Sequence, residues 1–174
     1  LSNRTLERRG PDGPGTEIER HREDPWQDAE WQRLWLAVER HPWRSLALVP
    51  AGDGGSVNFT LVVAMTLSRT GMVHLGAPLQ VADATNVSLS QLTAFSAEVN
   101  RVTSTGQRLI VALPAVSTNA VTAAIAQAVD SAVLCVLADK MTSGQAKETI
   151  RLVGRTRFIG SAIFHPHQLK ENKL

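Results

Sequence analysis

The strongest constraint on this chain is a rhythm of short, nearly unbroken apolar runs separated by longer stretches with helical spacing. The runs are "RSLALVPA" (44–51), "LQVADAT" (79–85), "QRLIVALP" (107–114), "SAVLCVLA" (131–138) and "RFIGSAIF" (157–164). A strand with one wet face alternates apolar and polar residues, whereas an unbroken apolar strand must be covered on both sides. Between the runs lie "SVNFTLVVAMTLSRTG" (56–71), "SLSQLTAFSAEVNRVTSTG" (88–106), "STNAVTAAIAQAV" (117–129) and "TSGQAKETIRLVG" (142–154), all spaced as helices. Gly71 and Gly154 read as helix stops, and "MVHLG" (72–76) as a short extra strand. Ser88 reads as an N-cap. Strands alternating with helices predict an α/β fold, a doubly wound and mostly parallel sheet with helices on both faces.

The chain divides by composition. Residues 1–24 are charged and punctuated by Gly and Pro, which predicts a flexible tail. Residues 25–43 hold all four tryptophans, and Trp31, Leu34, Trp35 and Val38 fall on one helical face. Asp24 is placed to cap that helix with Pro25 at its first position, and Pro42 to end it. The expected α/β domain spans 44–165, and 166–174 reads as a C-terminal tail. Trp31 and Trp35 admit two readings, packing on the protein's own sheet or presentation to a partner.

Composition removes several function classes. With 18 Lys and Arg against 16 Asp and Glu, the net charge is +2 and no basic stripe is interleaved with aromatics, so nucleic acid is not expected. No apolar run approaches the roughly 20 residues of a membrane span, so no direct membrane insertion is expected. There is no tyrosine, which rules out any chemistry needing a phenol. The single cysteine, Cys135, lies inside an apolar run and reads as a core thiol. His165 and His167 in "HPHQ" lack supporting carboxylates or cysteines, so no metal site is expected. Asp139 and Lys140 follow a strand and read as loop charges near a pocket mouth.

One stretch bears on chemistry. "LVPAGDGGSVN" (48–58) places Gly52, Gly54, Gly55 and Ser56 between a strand and a helix. A phosphate-binding loop uses glycines to turn backbone N–H groups inward, a helix N-terminus, a lysine, and a Ser or Thr for Mg²⁺. Ser56 stands at the hydroxyl position and is expected to open the helix. Gly55 occupies the lysine position, and no lysine precedes Lys140.

From about Glu30 to Phe164 the chain resembles the cytoplasmic domain of bacterial tyrosine kinases, relatives of the MinD/ParA P-loop ATPases. Their P-G-E-G-K-S-T loop corresponds to "AGDGGSV", and their I-D-A-D motif to "VADAT", with Asp83 kept and Thr85 in the second acidic position. Their I-D-T-P-P motif corresponds to "VALPA", with Ala112 in place of the aspartate and Pro114 retained. Phe164 stands where the family has a base-reading Asn, and the family's C-terminal tyrosines are missing. The resemblance therefore implies a P-loop NTPase-like fold with a vestigial nucleotide site at Gly52, Gly54, Gly55, Ser56 and Asp83. It implies a pseudokinase rather than an enzyme, with no cofactor; ATP or ADP with Mg²⁺ would enter only if the site were still active.

The family's E-x-x-R-x-x-R helix, which docks on a neighbouring subunit, corresponds to "EWQRLWL", with Glu30 and Arg33 kept and Leu36 for the last Arg. The resemblance thus implies an interface at Glu30, Trp31, Arg33 and Trp35, with self-association among its uses. The implied partner is the cytoplasmic part of an inner-membrane polysaccharide co-polymerase. The implied role is scaffold or regulator of exopolysaccharide or capsule synthesis and export. The expected location is cytoplasmic, reaching the inner membrane through that partner. The alternative is a nucleotide-binding sensor or atypical ATPase or tyrosine kinase of the same family.

Overall fold

The structure is a computed structural model, and it describes residues 25–56, 58–76 and 79–170. Five strands form one sheet: β1 (Ser45–Pro50), β2 (Leu79–Asp83), β3 (Arg108–Ala112), β4 (Ser131–Leu137) and β5 (Phe158–Phe164). Their order is β2-β3-β1-β4-β5, and every pairing is parallel. All five apolar runs thus become strands. β1 is buried at every position, as an unbroken "SLALVP" at the centre of a covered sheet requires.

The helices divide between the two faces. α1 (Ala29–Glu39) and α2 (Phe59–Leu75) pack on one, where Leu46, Leu48, Ile110, Cys135 and Phe164 meet Trp31, Trp35, Val63 and Leu67. α3 (Leu92–Ser104), α4 (Val121–Ala128) and α5 (Ser143–Val153) cover the other, where Val49, Val111 and Leu113 meet Val99, Val121, Ile125 and Val153. The fold is a doubly wound α/β domain. Cys135 is fully buried as expected, and burial pushes its thiol pKa up, so it stays protonated and inert.

Several boundaries differ from the sequence reading. α1 is capped by Asp28, whose carboxylate accepts the Glu30 N–H at 2.6 Å, and a single 3-10 turn (Pro25–Gln27) precedes it. Asp24 lies outside the described residues. α2 runs through Gly71 to Leu75 and stops at Gly76, whose φ of 62° is the left-handed geometry that favours glycine. "MVHLG" is therefore the last turn of α2, not a strand. Gly71 serves packing instead: a Cβ there would lie 2.5 Å from the Trp35 ring. Ser88 does cap, through a reciprocal box with Gln91, but it caps a 3-10 turn (Leu89–Gln91) that leads into α3.

Three of the four tryptophans, Trp31, Trp35 and Trp43, settle into the core. Trp31 and Trp35 are 7% and 1% exposed, so of the two readings it is packing on the protein's own sheet that the structure has. Trp35 meets Trp43 edge-on at 6.2 Å, and the Trp43 indole N–H donates to the Val38 carbonyl at 3.0 Å. The Arg108 guanidinium stacks 3.8 Å from the Trp43 ring centre and pairs with Glu39 at 2.7 Å. Trp31 packs on Phe164, which also meets Phe59. The amphipathic face of α1 is spent on its own sheet, leaving Glu30, Arg33 and Leu36 exposed.

Past β5, Pro166–Lys170 form a short helix, α6. Its Gln168 accepts the His165 N–H at 2.7 Å and donates to Glu30.

Candidate functional site

In a doubly wound sheet, ligands bind beyond the strand carboxyl ends, where neighbouring strands send their helices to opposite faces. Here β1 leads to α2 on one face, while its neighbour β3 leads to α4 on the other. A cleft of about 470 Å³ opens at that point, a volume within the usual range for small-molecule sites. Gly52, Gly55 and Ser56 come from the loop after β1, Phe59 and Thr60 from α2, Thr85 to Ser88 from the loop after β2, and Pro114, Ala115, Thr118 and Asn119 from beyond β3.

The sequence-predicted residues are only partly brought together. Gly52, Gly55 and Ser56 line the cleft; Gly54 and Asp83 do not. The Asp83 carboxylate folds back on its own turn, accepting the Thr85 N–H at 2.9 Å and the Thr85 hydroxyl at 2.6 Å. The two positions matching the I-D-A-D motif are thus bonded to each other. Ala112 is fully buried inside β3, and its carbonyl accepts the Ala84 N–H at 2.9 Å. Phe164 is a buried core aromatic with no polar side-chain atom.

The loop geometry departs from a phosphate cradle. Ser56 does not open the helix, which begins at Phe59 with Asn58 before it; this corrects the sequence reading. The Ser56 carbonyl accepts the Phe59 N–H at 3.0 Å, so a donor at the helix start is already used within the protein. None of the three loop glycines has a positive φ. Their role is close approach. A Cβ on Gly54 would lie 1.9 Å from the Lys140 carbonyl oxygen, and one on Gly52 would lie 2.7 Å from the Gln145 side chain. Gln145 also donates to Asp53 at 2.9 Å. The loop after β4, where Asp139 holds a φ of 62°, therefore clasps the Gly-rich loop. Asp139 and Lys140 do not line the cleft; Met141 does.

Sequence reasoning missed the residues that shape this cleft from within. The Thr60 hydroxyl donates to the Leu113 carbonyl at 2.6 Å, joining α2 to the end of β3. Asn119 donates to the Val87 carbonyl at 2.9 Å and accepts the Val121 N–H at 3.1 Å. An Asn before an apolar helical run is a legible capping signal; its bond to Val87 is not. Among the described lining residues, Asp53 alone is ionisable, and no Lys, Arg or His is present. Phosphate groups would find no cation here, and most hydroxyls and amides already serve the fold.

Among the described residues no cluster of His, Cys, Asp or Glu is arranged to hold a metal, and no helix is long and apolar enough to cross a membrane. Compared with family models, curated proteins and solved structures, the chain matches none.

Proposed function

We propose that this chain is a binding protein built on a P-loop-like α/β frame, a pseudokinase whose nucleotide site survives as architecture. The observation that carries this reading is that the described residues lining the cleft carry no positive charge. Transfer of a phosphoryl group rests almost wholly on positioning and charge neutralisation, supplied by a lysine, an arginine or a carboxylate-held Mg²⁺. Among the described lining residues Asp53 alone is ionisable, and Asp83 is turned away into its own loop.

Following the resemblance, the proposed role is that of a scaffold or regulator in bacterial exopolysaccharide or capsule synthesis and export. It would bind the cytoplasmic part of an inner-membrane polysaccharide co-polymerase and sit at the membrane only through that partner. With Trp31 and Trp35 inside the core, docking falls to the loops at the cleft mouth, where Leu89 is 77% exposed, and to the outer face of α1.

The test is ATP turnover by the purified protein with Mg²⁺, alone and with the cytoplasmic segment of a co-polymerase. The expected result is background hydrolysis in both, with complex formation in the second. Turnover above background that disappears in Ser56→Ala or Asp83→Ala would sink the proposal.

A further inference from the structure

The sheet has two edges, and they are protected unequally. Edge strands present unpaired backbone N–H and C=O groups, which proteins shield with shortness, charge, proline or bulges. β2 is five residues long and carries Gln80 and Asp83. β5 is seven residues long, "FIGSAIF", with neither charge nor proline. Its one irregularity is a register shift against β4 near its start, at Ala132/Val133; from Gly160 to Phe164 the pairing is regular. Among the described residues β5 pairs with β4 alone.

The second half of β5 is also uncovered on one face. Ala162 and Phe164 point into the core under α1 and α2, while Ser161 and Ile163 are exposed, Ile163 by 66%. Beside this half runs a groove of about 430 Å³ between β5 and α1, lined in part by Glu30, Trp31, Arg33 and Leu34. Its floor is apolar, and its α1 wall carries one acid and one base.

We propose that β5 pairs antiparallel with β5 of a second copy of this chain, about a two-fold axis near Ala162 and Ile163, to make a continuous ten-stranded sheet. The strand suits itself as a partner because it holds no charge to repel its copy. Around the axis Ile163 lies near Ile163, a cross-strand apolar pair that covers the exposed face. The same operation turns the groove wall of one copy toward that of the other, so Glu30 of one, which also accepts from Gln168 of its own copy, faces Arg33 of the other. An isologous contact must be self-complementary in this way. An unrelated extended peptide gains nothing from that charge pairing.

Sedimentation velocity of the purified chain across the micromolar range tests this. The expected species has twice the 18.8 kDa chain mass. Ile163→Lys should weaken association about tenfold or more while leaving the circular dichroism spectrum unchanged, because the side chain is exposed in the single copy. Arg33→Glu should also weaken it, and the double variant Glu30→Arg/Arg33→Glu should restore it. A monomer at every concentration overturns the proposal, as does a dimer indifferent to Ile163→Lys. Neither outcome bears on whether the cleft holds a nucleotide.

Discussion

Gly54 and Gly55 stand side by side and answer to different constraints. Gly54 is pressed against the backbone of Lys140, so no side chain fits. Gly54→Ala should cost about 1–3 kcal/mol, read as a lower midpoint in urea unfolding. A Cβ on Gly55 would meet Phe59 and Met141 at 3.3 and 3.4 Å, tight but with side chains that can shift. Gly55→Lys should therefore fold with a smaller stability loss than Gly54→Ala, yet show no ATP turnover. One lysine does not move Ser56 onto the first turn of α2 or free Asp83. The core makes the opposite case. Trp35 is 1% exposed and wedged between Gly71 and Trp43, so Trp35→Ala should cost about 3–5 kcal/mol in the same assay. The sequence makes the glycine triplet visible as a special loop. What Gly52 and Gly54 are for depends on Gln145 and Lys140, which are distant in the chain, and spacing cannot reveal that.

Elements were legible where a local period decided them, and their ends were not where a tertiary contact did. All five strands stood out because burial on both faces leaves an unbroken apolar run. The end of α2 was misplaced because Gly71 looks like a stop, while its actual purpose is to admit the Trp35 ring. The start of α2 was misplaced because Ser56 resembles an opening residue, while the chain needs three more positions to reach the turn at Phe59. One link between elements depends on pH. Burial would raise the Asp130 carboxyl, but the N–H groups of Arg44 and Ser45, at 2.8 and 2.9 Å, the Ser45 hydroxyl and the Arg44 charge outweigh it and hold its pKa below the ordinary value. A lowered folded-state pKa adds stability above the unfolded value, and that stability is lost as pH falls through the folded one. Asp130→Asn should thus lose about 1 kcal/mol at neutral pH, allowing for solvent screening. The difference from wild type should shrink below about pH 4. Urea unfolding of both proteins at neutral and acid pH checks this.

At the scale of the molecule, the sheet order and the split of helices between two faces place a cleft where a doubly wound fold normally carries its ligand. That position was readable from the sequence, since the Gly-rich loop follows the strand that became the centre of the sheet. In the sequence, the proposed chemistry of the cleft rests on the resemblance alone, in which Gly55 stands where a lysine is expected and Ala112 where an aspartate is. That Asp83 is occupied by Thr85, and that a second loop clasps the first, required the folded chain. The central claim is that this cleft keeps the architecture of a nucleotide site without its charge. Calorimetric titration of the purified chain with ATP and with ADP, each with Mg²⁺, tests it most directly. The account predicts no saturable heat with either nucleotide, and micromolar binding to the cleft would contradict it.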